Sequence, residues 1–549
     1  MWSRRALLAA AAAAPFTGCV QREGVAYTGG WVGTSPERGH RLRELKSGGL
    51  PPPALQRRAG VLIVGGGVAG LACARALTRA GLDDVHLFEL EDAPGGNSRG
   101  HRVAGMACPL GAHYLPLPGE HATEVIALLE DLGLRRSVHG KPVYDERHLC
   151  HSPQERLFIQ GQWHAGLLPP IEALPAAEQA TTLAQYHRFS DAVAQHARHA
   201  AFTVPTARAP WRSELDALDG ISFARWLAER DLTAPALRWY LDYCCRDDYG
   251  AGTAEVSAWA GLHYFASRHG FSAPGEEGDD GGVFTWPEGN AWLVERMAAP
   301  LAQRVHTGRV VLRVAESRHE VIVDLWNTQA QRIERWTAPH AVLATPLFVS
   351  ARLIESPPPA LQAAVAQLSY APWLVANLQL DLPLNDQPGA APSWDNVPYG
   401  SAGLGYVDAM HQSTRPHPGA TVLTAYRALG DAPQAQRQAL LDDPWSSWAS
   451  RVLQDLAAAH ADLAAKLKHI ALTRYGHAMS IPRPGVRSSA ALRALASAQG
   501  RLHFSHSDLS GYSVFEEALY QGQRAATDII RNDERHGGGA STRSANWHT

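Results

Sequence analysis

The chain has 549 residues, of which 45% are hydrophobic and 19% charged, and its formal net charge is −3 at pH 7. This length is too great for one small core and predicts at least two domains, sequential or interleaved. Because Lys and Arg are not in surplus, the composition argues against nucleic-acid binding. The 6 cysteines show no CxxC or Cys/His spacing, which indicates neither a disulfide scaffold nor a metal site.

Residues 1–19 predict export rather than a folded element. Arg4 and Arg5 precede an apolar run over residues 6–16, and Cys19 follows it. The run is too short to span a bilayer as a mature helix, and a twin arginine ahead of it resembles the Tat signal, which exports proteins already folded around a cofactor. The Thr-Gly-Cys ending resembles a lipobox. We therefore expect an exported, periplasmic chain whose membrane contact is a lipid anchor on Cys19; an alanine-rich disordered tail is the alternative.

Residues 20–58 are rich in Pro, Gly and Arg, and they predict a linker between the signal and the first strand. A βαβ unit follows, with a strand at Val61–Val64, a helix to about Arg79 and a second strand at Val85–Leu90. This order is typical of the start of a dinucleotide-binding domain.

The turn between the first strand and the helix fits the pattern G-x-G-x-x-G. Gly65 permits the tight turn, Gly67 lets the backbone approach a pyrophosphate, and Gly70 lets helix and strand pack closely. The helix N-terminus then directs free N–H groups at the phosphates. Glu89 ends the second strand, where a carboxylate can bind ribose hydroxyls. The residues predicted to contact the nucleotide here are Gly65, Gly66, Gly67, Val68, Ala69, Gly70 and Glu89.

A second glycine pair follows the acidic strand. The runs Phe88–Gly100 and Pro109–Pro118 resemble the flavin-containing amine oxidase and phytoene desaturase superfamily, in which such a pair and a later turn lie close to FAD. The resemblance implies FAD as the cofactor. Asn97 stands where the family often has arginine, and Arg99 is the candidate substitute. The resemblance adds Gly96, Asn97, Ser98, Gly111 and Ala112 to the predicted cofactor contacts.

Two later segments resemble other parts of the same superfamily. Gly500–Ile530 resembles its closing flavin motif, with Asp508 at the position of an acid near the pyrophosphate and ribityl chain. The helix beginning near Val514 would direct its N-terminus at the flavin. The strand Arg309–Val314 resembles the one whose backbone meets the adenine, with contact expected at Val311. No cysteine lies in the C-terminal segment where monoamine oxidases attach their flavin, which favours non-covalent binding.

Together these motifs imply an α/β fold: a Rossmann-like FAD-binding domain of the GR2 type, split along the sequence, with an interleaved α+β substrate domain. The predicted segments of the FAD-binding domain are residues 59–118, 286–350 and 491–533. The substrate domain is expected from residues 119–285, rich in helix patterns and aromatics, and from residues 351–490. Residues 534–549 predict a disordered tail.

The resemblance implies hydride transfer from a small-molecule substrate to flavin N5, with amines, including polyamines, as the leading substrate class. The predicted catalytic residues are His113, His477 and Tyr512. His113 lies on the turn beside the flavin, and the other two resemble members of the family's aromatic cage. A neutral imidazole could take a proton from an ammonium or hydroxyl group near neutral pH. For each residue, a buried core side chain is the alternative.

Other positions bear on the substrate. The family's lysine, which contacts flavin N5 through water, is missing, with Val375 nearest its position; this departure favours C–C or C–O dehydrogenation. Asp247 and Asp248, beside Arg246, could present carboxylates to a cationic substrate, or could form an ion pair at a helix end. Trp373 is predicted on a strand facing the substrate region, with core packing as the alternative.

Three hypotheses follow. The leading one is an FAD-dependent amine oxidase or dehydrogenase that is reoxidised by oxygen or a respiratory carrier. The second is a desaturase-like dehydrogenase or isomerase of an apolar substrate, which an apolar tunnel without a carboxylate or aromatic cage would favour. The third is a flavoprotein whose FAD is structural and whose surface binds a partner, which a flavin sealed from any pocket would favour.

Overall fold

The computed structural model describes residues 27–41, 49–150, 154–198, 202–209, 211–276, 281–415, 417–497 and 500–536. The predicted signal over residues 1–19, with Cys19, and the end of the predicted tail from residue 537 lie outside these ranges. Among the described helices, none is both long enough and apolar enough to cross a bilayer.

A five-stranded parallel sheet, which we call the central sheet, contains the predicted βαβ unit. Its strands, from one edge to the other, are Val305–His306, Val85–Phe88, Val61–Val64, His340–Leu343 and Leu502–Phe504. Val61–Val64 is apolar and buried throughout, as expected for a parallel strand covered on both faces. Strands distant in sequence meet here, so the sheet is split along the chain.

Two helices pack together against the central sheet. The first helix, Val68–Arg79, begins directly after the glycine turn, and the last helix, Phe515–His536, lies along it. Gly522 permits this approach, because a Cβ there would lie 2.3 Å from the carbonyl oxygen of Ala69. The last helix includes residues 534–536, which were predicted as disordered; that prediction is wrong there, since no glycine or proline interrupts the helix before Gly537.

A four-stranded sheet packs beside the central sheet. Its strands are, in order, Arg309–Glu316, Val321–Asn327, Arg332–Ala338 and Leu55–Arg58. A mixed eight-stranded sheet, which we call the outer sheet, has the order Thr28–Trp31, Leu467–Ser480, Tyr370–Leu380, Thr421–Ala428, Tyr406–Asp408, Asp395–Pro398, Glu155–Ile159 and Gln162–Ala165. Two-stranded pairs join Gly100–Val103 with Met106–Pro109, Tyr114–Pro116 with Val283–Thr285, and Arg135–Val138 with Lys141–Tyr144.

Part of the predicted linker belongs to the sheets. Thr28–Trp31 pairs in parallel with Leu467–Ser480, and Leu55–Arg58 pairs in parallel with Arg332–Ala338. The prediction that residues 20–58 only connect is therefore wrong for both strands. Each is stabilised by backbone hydrogen bonds to a partner hundreds of residues away, and a four-residue segment gives no periodicity from which such pairing could be predicted.

A layer of helices packs against the outer sheet and shares one apolar core with it. These helices are Ala176–Ala197, Asp216–Asp219, Phe223–Ala228, Pro235–Tyr249 and Ala258–Tyr264. Residues 36–41 are also helical. Further α-helices are Thr123–Asp131, Ala291–Ala298, Leu347–Leu353, Pro359–Gln367, Pro433–Asp442, Trp445–Ala457, Leu463–Lys466 and Ala490–Ala496.

Candidate active site

A cavity of ≈ 420 Å³ lies where strands of the central sheet end. Gly65, Glu89, Ala344 and His506, each just after one of these strands, line it. In open parallel sheets, ligands bind at the carboxyl ends of the strands. The rest of the wall comes from the outer sheet and from the helix Pro235–Tyr249, which we call the acidic helix. We call the wall built by the central-sheet turns the glycine side and the wall built by the outer sheet the aromatic side.

The glycine turn approaches its neighbours too closely for side chains. Gly65 has a φ of +106°, and a Cβ on Gly70 would lie 2.0 Å from the carbonyl oxygen of Gly65. A Cβ on Gly67 would meet nothing within 4 Å, so this backbone borders open space. The first helix has no acidic residue in its first turn. Its N-terminal N–H groups are therefore suited to an anionic group such as a pyrophosphate.

Glu89 is buried and fixes two turns at once. Its Oε2 accepts a hydrogen bond from the backbone N–H of Gly66 at 2.8 Å, and its Oε1 accepts one from Glu91 at 2.9 Å. Burial raises the pKa of Glu89, and these two amides act in the opposite direction. Since Glu89 also lines the cavity, its carboxylate lies where a ribose hydroxyl could donate to it.

The second glycine pair packs against the first turn. Gly95 and Gly96 have φ values of +129° and +56°, and the N–H of Gly95 donates to the carbonyl of Gly66 at 2.8 Å. Asn97 lines the cavity, whereas Arg99 does not. The Nη1 of Arg99 is 3.9 Å from Glu91. Arg99 is thus not placed as the phosphate-binding substitute that the sequence suggested.

Most predicted cofactor residues meet at the cavity. Those that line it are Gly65, Gly66, Gly67, Val68, Ala69, Glu89, Gly96, Asn97, Ser98, Gly111, Ala112, Val311 and Val514. Gly70 lies behind the turn, where it allows the close approach of helix and strand described above.

Asp508 is an exception. Its carboxylate is fully buried but is not part of the cavity wall, contrary to the prediction. Oδ2 instead accepts hydrogen bonds from the N–H of Leu347 at 2.9 Å and the hydroxyl of Tyr370 at 2.6 Å. Although burial alone would raise the pKa of Asp508, His506 and these donors hold it below its usual range. Asp508 therefore positions its neighbours His506 and Ser507, which do line the cavity.

Tyr512, predicted as a catalytic residue, also lies outside the cavity wall. Its side chain is buried and absent from the cavity wall. The hydroxyl donates to Glu517 at 3.2 Å, and the ring packs edge-on against Tyr249 and His263. Gly511 before it adopts a left-handed φ of +86°. This turn directs Tyr512 into the helical core rather than toward the cavity.

His113 lines the cavity within a group of aromatic rings. Its ring stacks on Tyr426, with 4.4 Å between ring centres, and lies 5.5 Å from Trp394. Burial lowers the pKa of His113 to about 4, a shift that the hydrogen bond with Gly111 opposes. His113 is therefore neutral at pH 7 and is a weak proton acceptor, which argues against the predicted role as a base near neutral pH.

The aromatic side follows from strand register. Trp373 is opposite Tyr475, and Val375 is opposite Tyr426 in the neighbouring strands. Opposed residues share one face of a sheet, and residues two apart on a strand share it too. All four line the cavity. Trp373 thus lines the cavity, and so does Val375, the residue that the resemblance places nearest to the family's lysine.

His477 also lines the cavity, and it borders a second pocket. Its ring packs on Phe348, with 4.5 Å between ring centres, and lies near Tyr370. No lysine is among the described residues that line the cavity. Within the described ranges, no group of three or more His, Cys, Asp or Glu side chains is arranged to hold a metal ion.

The acidic helix ends at the cavity. Asp247 and Asp248 both line it, together with Arg268. Asp248 is paired with Arg268 at 2.9 Å, and Arg268 is also 3.2 Å from Glu516. Burial, reinforced by the charge of Asp248, raises the pKa of Asp247 to about 7. Of the two alternatives raised by the sequence, Asp248 forms an ion pair, whereas Asp247 lines the cavity without a cation at ion-pair distance.

Sequence reasoning missed several residues of the wall. Asn290 is 1% exposed, and its Nδ2 donates to the carbonyl of Tyr114 at 3.0 Å, while its Oδ1 has no hydrogen-bond partner. Arg268, Tyr426 and Tyr475 were likewise missed. None belongs to a recognisable local motif, and long-range strand pairing or loop packing brings each to the cavity. Only the sheet register could have identified the two tyrosines.

Comparison with known proteins agrees with this geometry. Residues 68–530 match the family described as flavin containing amine oxidoreductase. The AofH protein of two Mycobacterium tuberculosis strains, CDC 1551 / Oshkosh and H37Rv, whose name assigns it to the flavin-containing monoamine oxidases, is 27% identical over 275 residues. That match covers 49% of this chain and 54% of the relative. The chain thus spans about half the length of the curated relatives it matches.

Solved structures share the fold. A wild-type putrescine oxidase bound to putrescine has a TM-score of 0.64 and is 21% identical, covering 87% of this chain and all (100%) of the other. Cyclohexylamine oxidase from Brevibacterium oxydans IH-35A has a TM-score of 0.62 and 21% identity, with 87% and 100% coverage. A fatty acid isomerase from P. acnes has a TM-score of 0.56 and 14% identity, with 85% and 98% coverage.

These similarities confirm the predicted fold class, an α/β Rossmann-like FAD domain with a substrate domain. They also identify FAD as the cofactor, since the family is defined by its flavin. Because the family match extends over most of the sequence, this chain belongs to the flavin-containing amine oxidoreductase family.

Proposed function

We propose that the protein oxidises amines with FAD as the hydride acceptor. The observation that carries this proposal is the composition of one cavity. Its glycine side has the open backbone and helix N-terminus that a dinucleotide requires. Its aromatic side has Trp373, Tyr426 and Tyr475, and the acidic helix adds the carboxylate of Asp247. An apolar tunnel, which a desaturase would need, has no use for such a carboxylate.

The residues present fit FAD. Gly67 borders open space beside the N–H groups of the first helix, and Glu89 offers a carboxylate to the ribose. Bound FAD supplies the hydride acceptor, so that an amine substrate leaves as an imine that water hydrolyses. The aromatic rings exclude water and hold the substrate against the cofactor. His113, kept neutral by burial, adds no positive charge that would repel an amine.

This chain has no lysine among the described residues that line the cavity, unlike the family it resembles. Val375 presents an apolar side chain to the cavity, so no ammonium group organises a water at this point. C–C dehydrogenation or isomerisation of an apolar substrate is therefore the second candidate function. A structural role for the flavin is disfavoured, because the residues expected around FAD border the same cavity as the aromatic side.

Two finer parts of the proposal concern where the protein is located and which electron acceptor reoxidises the flavin. We propose export and a lipid anchor on Cys19, on the support of the twin arginine and the Thr-Gly-Cys ending. Oxygen or a respiratory carrier is the proposed acceptor, since both are accessible outside the cytoplasm. Replacement of Arg4 and Arg5 by lysine, followed by cell fractionation, tests the first proposal. Export should be lost. Reoxidation rates with oxygen and with a soluble quinone test the second.

The experiment that tests the activity is anaerobic mixing of the purified holoprotein with monoamines, diamines, amino acids and an unsaturated fatty acid. Loss of the oxidised flavin absorbance with an amine supports the proposed function. Bleaching or product formation with the fatty acid alone would favour the second candidate. Flavin that no compound reduces, together with no product from the fatty acid, would reject both enzymatic functions.

A further inference from the structure

Two adjacent carboxylates at the end of the acidic helix differ in what neutralises them. Asp248 is 2.9 Å from Arg268, which also lies 3.2 Å from Glu516, so this arginine is shared between two acids. Arg246, the other nearby cation, is directed at Asp242 at 3.2 Å and at the carbonyl of Ala402 at 3.1 Å. Neither arginine lies within ion-pair distance of Asp247.

The wall around Asp247 is therefore short of positive charge. Asp247, Asp248 and Glu516 carry three negative charges when ionised, and Arg268 supplies one positive charge. Glu155, on the outer sheet, also raises the pKa of Asp247, and the more distant charge of Arg246 opposes this effect. Buried carboxylates without a cation are destabilising, and proteins retain them where a ligand provides the missing charge.

A second, independent group points to a ligand with hydrogen-bond donors. Asn290 is 1% exposed and lines the same cavity, and its Oδ1 accepts no hydrogen bond. The direction of its amide is set, because Nδ2 donates to Tyr114. Burial raises the pKa of Tyr114, and the negative charge of Asp247 raises it further. An acceptor without a donor, on a wall with excess negative charge and aromatic rings, suits an ammonium group.

We propose that Asp247 binds a non-reacting ammonium group of the substrate, so that the substrate is a diamine or polyamine. This inference rests on the proposed function. The nitrogen next to the carbon that loses a hydride must be neutral, because its lone pair forms the C=N bond of the imine, and a carboxylate beside it would stabilise its protonated form. The group held by Asp247 is therefore the other nitrogen of the molecule. Asp247 determines specificity, and the aromatic side holds the carbon chain between the two nitrogens.

The test is calorimetric titration of the reduced holoprotein under anaerobic conditions, where no turnover occurs. The ligands are 1,4-diaminobutane and n-butylamine, which differ by the second ammonium group. We expect the diamine to bind at least tenfold more tightly than the monoamine. Asp247→Asn should remove that preference, and Asp247→Glu should restore most of it. Flavin content and unfolding temperature check that each variant is folded.

Asp242→Asn is the matched control. It removes a charge from the same helix, outside the cavity, and its remaining oxygen can still accept from Thr253. It should keep the preference for the diamine. Equal affinity of the native protein for both amines, or an unchanged preference in Asp247→Asn, would overturn the inference. Failure of the proposed function is a separate result: the diamine would then bind through Asp247, yet no amine would bleach the oxidised flavin.

Discussion

At the residue scale, Asp247 links recognition to stability. Its ordinary pKa is 3.8, and burial, with the charge of Asp248, raises it to about 7 in the folded protein. The charged groups around it come from several elements: Arg246, Asp248, Arg268, Glu155 and Asp395. A raised carboxyl pKa means that the folded chain retains a proton that the unfolded chain loses. Its contribution to stability is therefore complete below about pH 4 and is lost as the pH rises through about 7.

Asp247→Asn should stabilise the holoprotein at pH 8 and leave it unchanged at pH 4. We expect a gain of about 1–3 kcal/mol in the free energy of unfolding at pH 8, less than the full pKa shift implies because water in the cavity screens the charge. Thermal or denaturant unfolding at the two pH values measures this. The same gain at both values would mean that the carboxylate is not responsible.

Replacement of Tyr512 should destabilise the protein, in contrast to Asp247→Asn. Its hydroxyl donates to Glu517 in a buried position outside the cavity. Tyr512→Phe should lower the free energy of unfolding by about 1–2 kcal/mol, because a buried hydrogen bond is lost. The rate of flavin reduction by an active amine should change by less than twofold. A tenfold slower reduction in a variant that retains its flavin would place Tyr512 in the active site after all.

The predicted residues that meet at the cavity are mostly those that lie close together in the chain. The glycines and Glu89 lie in one βαβ unit, whose geometry follows from local pattern, and the structure gathers them at the cavity. Asp508 and Tyr512 lie outside the cavity wall because partners far along the chain direct their side chains. Leu347 donates to Asp508, and Tyr249 and His263 pack against Tyr512. A local motif gives a residue's position along the chain but not the direction of its side chain.

At the scale of elements, the contact between the first and last helices positions the N–H groups that face the cavity. A Cβ at Gly522 would lie 2.3 Å from the carbonyl of Ala69 and 2.7 Å from the Cβ of Ala72. Gly522→Val should therefore push the helices apart and destabilise the protein by about 1–3 kcal/mol. Retained FAD after purification should fall as well, because Ala69 lines the cavity.

Gly119→Val is the comparison for that substitution. A Cβ there meets nothing within 4 Å, and the residue is not part of the cavity. It should keep native stability and flavin content. If both glycine variants behave alike, helix separation is not the cause of any loss.

The edge strand Thr28–Trp31 is an element that sequence pattern did not reveal. It pairs with residues 469–472, and Arg474 lies over the ring of Trp31 at 4.6 Å. A chain that begins at Gly33 should unfold several degrees lower than one that begins at Tyr27, because it exposes an edge of the outer sheet and loses this contact. Equal unfolding temperatures of the two truncated chains would show that the strand adds no stability.

For the whole molecule, the cavity joins sheets that the sequence could only predict separately. Two strands of the central sheet, Val61–Val64 and Val85–Phe88, were predictable because they are short, apolar and flanked by recognisable turns. The outer sheet depends on pairings such as Tyr370–Leu380 with Thr421–Ala428 and Leu467–Ser480. The first of these strands resembled a family segment, but nothing local to it indicated which strands would lie beside it. Most of the glycine side could thus be listed in advance, whereas of the aromatic side the sequence indicated Trp373 and Val375 but not Tyr426 or Tyr475.

This shared cavity predicts how the whole molecule responds to loss of its cofactor. Glycine-side residues such as Gly67 and aromatic-side residues such as Tyr475 border one space, so a ligand that fills it contributes its binding free energy to the folded state. FAD at one hundred times its Kd would add about 2.7 kcal/mol. Removal of FAD should lower the unfolding temperature by several degrees, and added FAD should restore it. Riboflavin, which has no pyrophosphate for the glycine turn, should not. An apoprotein that unfolds at the same temperature as the holoprotein would show that FAD adds no free energy to the folded state.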